Sequence, residues 1–451
     1  MKGPFMKTLI PLFITLALTV SAQDLSWPPK LPGGKAIDRG SSPALLKPGP
    51  NLRPDVKIAK TAPRIDFLYY PGQDYPGNPW SVWGESLCVG GKYYSAIGDH
   101  KGPEGNSFLY EYDSATWKIR ILADLRKILK LPAGHYTPGK IHSRIDLGQD
   151  GWLYYSTHRG STRVTTPKHH FKGGWILRTH PATAKTEIVA HAPLPMQTLP
   201  ASVLDPRRMI FYAGTADGDY QNKRIQFLAY DTAKRKVLYS DDNGFSRYAI
   251  FSASSGRLYY HDGSSTPGQT TGPRQLVCFD PAKPGKPRPI NARVGLRAAT
   301  QELANGKVYT IDHNELWEFD CKTETALSLG PAAVASKTYT TSIDADHKTG
   351  RYLYYIPGAH GGAEKDGTPL VQYDLKTRTR KVLCFLHPYH YDRCGFIPLG
   401  TFGSAVSPEG DKVYITWNGN RGTDRKDLGQ RARFNTCGMT VVHIPATERK
   451  P

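Results

Sequence analysis

One phrase recurs seven times along this 451-residue chain, and no other feature constrains the fold as strongly. It runs as an apolar pair, an aromatic, an Asp, a short polar turn and a second strand. Full copies are LYEYDSATWKIRIL from Leu109, LAYDTAKRKVLY from Leu228, LVCFDPAKPGKPRPI from Leu276, LWEFDCKTETALSL from Leu316 and LVQYDLKTRTRKVL from Leu370. Degenerate copies are ILRTHPATAKTEIV from Ile176 and MTVVHIPATER from Met439. Each reads as a β-hairpin, because alternating side chains serve the two faces of a sheet while Asp with Ser, Thr or Lys forms the turn.

A second phrase precedes each hairpin: a Gly- or Asp-rich turn followed by a short strand with paired aromatics. Its copies begin at Gly91, Gly151, Arg208, Gly256, Gly306, Gly350 and Asp411. One further strand lies before each of these, as in KIHSRIDLG, YAIFSASSG and SAVSPEG. Four strands per unit at a period of about 50 residues is the pattern of a propeller blade. The expected fold is therefore all-β, a seven-bladed β-propeller over residues 61–451, with six or eight blades and a pair of stacked β-sandwiches as alternatives. RIDFLYY, Arg64 to Tyr70, has no partner hairpin and is expected to complete the last blade. Residues 23–60, rich in Pro and Lys, read as an extended leader.

The start of the chain reads as a targeting segment. Lys2 and Lys7 precede the apolar run Leu9 to Val20, and the small residues Ser21 and Ala22 follow it. About 12 apolar residues are too few to span a bilayer, so residues 1–22 are expected to be a secretory signal peptide, with no membrane insertion. The net charge is +20, with 59 Lys and Arg against 39 Asp and Glu. Such an excess attracts anions. For an exported, monomeric chain the expected partner is an anionic polysaccharide rather than nucleic acid. The basic residues form no long run, so the charge is a diffuse field and not a tail. Six cysteines are too few for a disulfide scaffold in a chain of this length.

The richest candidate site lies in the second unit, KIHSRIDLGQDGWLYYSTHRGS. His142 falls at the start of its inner strand and His158 at the end of the next, so antiparallel pairing brings both to one face of the disc. Arg144 and Arg159 lie beside them. Imidazoles near cations suit proton abstraction, because nearby positive charge favours the neutral base. Aligning strand ends places His313 and Asn418 at the height of His158. Tyr248 opens the fourth unit, Arg224 follows a polar loop in the third, and Tyr212 lies within the aromatic strand RMIFYAGT of that unit. Together these predict a cationic, aromatic funnel in which rings stack on sugars and Arg forks hold carboxylate or sulfate. CFLHPYHYDRC offers a second cluster, in which Cys384, His387, His390 and Cys394 have the ligand types of structural zinc. A Cys384–Cys394 disulfide and unrelated loop residues are the alternatives.

The paired His142 and His158 on neighbouring strands, with Arg and Tyr in following blades, resemble the propeller polysaccharide lyases, in arrangement ulvan lyases and rhamnose–glucuronate lyases. The resemblance implies β-elimination at a uronic acid, with His142 or His158 as base, Arg224 neutralising the carboxylate and a tyrosine taking part in proton transfer. Early in the third unit the chain reads QTLPASV, without a tyrosine, which leaves Tyr212, Tyr220 and Tyr248 for that role. A non-catalytic glycan- or protein-binding propeller and a glycoside hydrolase are the competing readings. The latter would draw on Asp99, Asp217, Asp219, Asp262 and Asp312.

Overall fold

The computed structural model describes residues 25–216, 225–245, 247–261, 272–422 and 434–449. They form seven blades of chiefly antiparallel strands in a ring, a seven-bladed β-propeller with two short helices, Leu125–Leu129 and Tyr389–Cys394. Blades 1 to 6 follow the chain, each with its strands paired in sequence order. The expected signal peptide, residues 1–22, lies outside the described residues.

The repeated phrase has a local cause. In all five full copies the Asp carboxylate accepts a backbone N–H from the turn that follows: Asp113 from Ala115 at 2.8 Å, Asp231 from Lys234 at 2.8 Å, and Asp280, Asp320 and Asp374 from Ala282, Lys322 and Lys376 at 2.9 Å. Such a side chain replaces a missing turn hydrogen bond. Four residues after the Asp in four of these copies, and after His180 in the degenerate copy of blade 2, the chain enters the left-handed region. Trp117, Ala184, Arg235, Glu324 and Arg378 have φ between 53° and 59°. The turn then returns the chain one strand outward, while the aromatics of the phrase pack between blades.

Ring closure is the long-range counterpart. The last blade takes its inner three strands from the C-terminal part, Phe396–Val406, Lys412–Arg421 and Thr436–His443. Its fourth strand is Arg64–Tyr69, paired antiparallel with Thr436–His443 in the register Arg64↔His443 to Tyr69↔Gly438. Asp38–Gly40 adds a fifth strand outside it, and Lys57–Ile58 pairs in parallel with Thr379–Phe385 at the rim of blade 6. The extended leader is thus woven onto two blades. Phe67, fully buried in the closing strand, packs against Phe396 at 4.8 Å and His390 at 4.7 Å between ring centroids.

That packing overturns the zinc expectation. Cys384 ends a strand inside the apolar core beside Leu45 and Leu370. The helix Tyr389–Cys394 turns His390 onto Phe67, where its Nε2 pairs with Thr440 Oγ1 at 2.9 Å. His387 and Cys394 are held elsewhere on the segment, and no group of three metal-ligating side chains converges among the described residues. Cys384 and Cys394 are free thiols, as are the other four cysteines. The segment instead fastens the leader: Arg393 grips the Asp38 carboxylate through Nε at 2.6 Å and Nη2 at 2.7 Å.

Closure should therefore carry a large share of the stability. Phe67→Ala is expected to cost about 3–5 kcal/mol through the lost ring and the cavity left behind. Arg378→Gly, which relieves an exposed left-handed residue, should leave stability unchanged or raise it by up to about 1 kcal/mol. Equilibrium denaturant unfolding checks both values.

Candidate functional site at the channel mouth

Two interrupted inner strands build the mouth. In blade 1 the inner edge is split into Trp80–Ser81 and Leu87–Val89, both paired with Lys92–Asp99. Residues 82–86 bulge between them and carry Trp83 and Glu85. In blade 2 the ladder Pro138–Lys140 with His158–Arg159 is separate from the ladder Asp146–Leu147 with Leu153–Ser156. His142 and Arg144 lie in the break, pinned by Ser143, whose Oγ accepts from the Ser156 N–H at 2.8 Å. The two bulges touch through Gly84. A Cβ there would stand 2.5 Å from the Ser143 carbonyl and 2.6 Å from that of Ile141, so only glycine allows the contact.

The ring centroids of His142 and His158 lie 5.3 Å apart with their planes at 79°. His142 Nδ1 is 2.9 Å from the Pro200 carbonyl. A carbonyl only accepts, so Nδ1 carries the hydrogen, and the Nε2 of the neutral ring keeps its lone pair. His158 is buried, with Nδ1 paired to Thr198 Oγ1 at 2.8 Å. Burial first, and then Lys140, hold both imidazoles well below their usual range, with Arg247 adding to each. Both rings are therefore neutral bases across the physiological range.

Trp83 is the centre of the mouth and carried no signal in the sequence. Its ring lies 6.5 Å from His142 at 10°, 4.9 Å from Phe402 and 5.8 Å from His360, with Lys140 Nζ 4.3 Å above it. Across from it, Arg297 Nε donates to the Tyr339 hydroxyl at 2.7 Å. Tyr339 in turn stacks on His360 at 4.9 Å and 11°. His313 reaches the same group, 5.4 Å from Tyr339, with Nδ1 on Asp312 at 2.6 Å. Arg247 and Arg297 line the pocket beside His142.

Beneath this mouth lies a polar layer. The Tyr248 hydroxyl sits 2.8 Å from Glu85 Oε2 and 2.6 Å from the Ala299 carbonyl. Arg144 points Nη1 at the Tyr248 oxygen, 3.4 Å away, and Nη2 at Asp146, 3.3 Å away. Burial pushes Glu85 up to about 7, against the pull of Arg144.

Several expected site residues are placed differently. Arg144 and Tyr248 line the mouth pocket, but their polar atoms are engaged with Asp146, Glu85 and the Ala299 carbonyl in the layer below it. Tyr212 is fully buried in the core between blades 3 and 4, 5.9 Å from Phe279, and meets no channel. Asn418 is buried as well. Its amide brackets Val82, accepting from the N–H at 2.7 Å and donating to the carbonyl at 3.1 Å, so it sets the blade 1 bulge rather than touching a ligand. Strand Lys412–Arg421 runs past it to Arg421, which breaks the strand-end alignment with His158. Arg159 lies on the ladder beside His158. Arg224, Asp217, Asp219, Tyr220 and Asp262 lie outside the described residues.

No family model matches the chain, and no curated protein matches it in sequence. Solved structures do match in fold. An oligogalacturonate lyase in complex with manganese is 11% identical, with a TM-score of 0.53 over 92% of this chain and 98% of that one. The oligogalacturonate lyase of Vibrio parahaemolyticus is 10% identical, with a TM-score of 0.52 over the same shares of the two chains. At this identity the likeness concerns the propeller itself. The residues of the present mouth do not fit a manganese cage: the two nearest imidazoles have no third ligand converging with them among the described residues, and the Nδ1 of each is already hydrogen-bonded.

The neutral histidines have a consequence for stability. A buried imidazole held below its unfolded value resists the proton that the unfolded chain accepts, so its contribution is intact above about pH 6.5 and is lost as pH falls further. His142→Gln should flatten the loss of melting temperature between pH 6.5 and 5 relative to wild type, as measured by calorimetry. Gly84→Ala should keep the fold but shift Trp83 against His142, visible as altered tryptophan fluorescence.

Proposed function

We propose that this chain is an extracellular polysaccharide lyase that cleaves a uronate-containing glycan by β-elimination. The observation that carries the reading is His142: a half-buried, neutral imidazole whose tautomer is fixed by the Pro200 carbonyl, leaving Nε2 as a base in a cationic, aromatic mouth. The oligogalacturonate lyases of the same fold lend the reading support of a general kind.

In this reading Trp83 stacks on a sugar ring, while Arg247 and Arg297 stand where a uronate carboxylate would need neutralising. Neutralisation makes the C5 hydrogen acidic, and His142 Nε2 removes it. The C4–O bond breaks as the C4–C5 double bond forms. The departing oxygen takes its proton from Tyr339, whose phenolate is stabilised by the Arg297 guanidinium at 2.7 Å. The imidazolium then gives its proton to water, and the Tyr339 phenolate takes one back from water, so both groups are restored. His158, at 5.3 Å, keeps His142 oriented and excludes a second charge.

Incubation with pectic, ulvan and glycosaminoglycan polymers, followed at the ultraviolet absorbance of the unsaturated uronate, tests the reaction. An absorbance rise with at least one polymer is expected. Saturated reducing-end products would point to hydrolysis, and retention without turnover to a binding propeller. His142→Ala should lower turnover by roughly 10²–10⁴-fold with an unchanged melting temperature above pH 7. Tyr339→Phe should fall by a similar factor on the polymer, but by far less on a substrate with an activated leaving group, which needs no acid.

A further inference from the structure

The layer beneath the mouth contains a hydrogen-bond arrangement that does not close with the usual number of protons. The Tyr248 hydroxyl has one hydrogen and two acceptors in reach, Glu85 Oε2 at 2.8 Å and the Ala299 carbonyl at 2.6 Å. If Glu85 is a carboxylate, one of these contacts sets two oxygens against each other without a hydrogen between them. If Glu85 carries a proton, it donates to the phenol oxygen, the phenol donates to Ala299, and every contact is satisfied.

Glu85, Tyr248 and Arg144 also line two spaces at once: the mouth pocket that contains His142 and Arg297, and a second cavity deeper in the channel that reaches Asp344 and His347. A charge that appears on Glu85 is therefore felt by whatever occupies the mouth.

We propose that Glu85 sets the anion affinity of the mouth by gaining or losing a proton, with Tyr248 reorienting its hydrogen between Ala299 and Glu85 as it does so. The proposal rests on the reading of the mouth as an anion site. Protonated Glu85 leaves the field of Lys140, Arg247 and Arg297 undiminished. Ionised Glu85 places a negative charge in the wall and weakens the hold on a carboxylate or sulfate. Charged and titratable groups face Glu85 from every blade around it: Arg144 and Asp146 from blade 2, Tyr248 from blade 4 and Arg297 from blade 5, with Asp344 and His347 of blade 6 across the lower cavity. Burial outweighs the pull of Arg144 and puts the change near neutrality, at about 7. His142 and His158 are held too low to titrate there.

The test uses free glucuronate, which has no glycosidic bond at C4 and cannot be eliminated, with inorganic sulfate as a second anion. Neither probe titrates between pH 6 and 8. Wild-type affinity should fall roughly tenfold over that range, the effect of one added charge across a pocket of effective dielectric about 20. Glu85→Gln, whose amide can donate to Tyr248 as the protonated acid does, should stay at the acid-side affinity throughout. Calorimetry of the wild type at pH 7, in two buffers of different ionisation enthalpy, should show proton uptake on binding and needs no variant. Unchanged affinity across the range without proton uptake would overturn the proposal and leave the anion site standing. So would a pH dependence that persists in Glu85→Gln, which would assign it to another group of the channel. Failure of both anions to bind at pH 6 would remove the anion site itself.

Discussion

Everything at the mouth depends on one hydrogen-bonded seam, that between Arg64–Tyr69 and Thr436–His443. A propeller is a sheet stack bent into a circle, and until the circle closes its first and last blades share no surface. Trp83 comes from blade 1, and its partner Phe402 from blade 7. The Asn418 amide that holds Val82 crosses the same junction. The closing strand is fixed from outside by the leader, where Arg393 clamps Asp38, and from inside by Phe67 on Phe396 and His390. A local seam thus sets the geometry of a site whose residues are hundreds of positions apart.

The mouth shows how burial and charge divide the work. Desolvation and the neighbouring cations act in the same direction on an imidazole, so His142 and His158 are neutral. On a carboxyl group they oppose each other. At Glu85 burial prevails over Arg144, and the group titrates near neutrality. A few ångströms of depth therefore separate constant bases from a group poised to change charge.

The fold was legible because its signals are local. The Asp of the repeated phrase caps its own turn, and the closing strand stood out as the one segment without a hairpin. The His142–His158 pair was legible for the same reason, since a short antiparallel connection forces their approach. Trp83, Glu85, Arg297 and Tyr339 were not legible, because their convergence depends on how far each blade is rotated about the channel and on bulges that no repeat encodes. Strand-end alignment failed at Asn418, where register shifts between Pro398 and Gly400 and between Thr401 and Gly403 lengthen the inner pair of blade 7 and move its end to Arg421. Tyr212 was misjudged because strand Ile210–Gly214 is buried on both faces, so alternation gives no channel side. The Cys and His residues of CFLHPYHYDRC had the right chemistry for zinc, but a strand and a helix hold them apart.

The central claim is that His142 is a neutral imidazole with its hydrogen on Nδ1 and its lone pair on Nε2. Nitrogen-15 spectra of histidine-labelled protein, assigned by loss of one signal pair in His142→Gln, read both nitrogens directly. The account predicts one protonated and one unprotonated nitrogen from pH 8 to below pH 6, with the proton on the nitrogen facing Pro200. An imidazolium at pH 6, or the opposite tautomer, would contradict it.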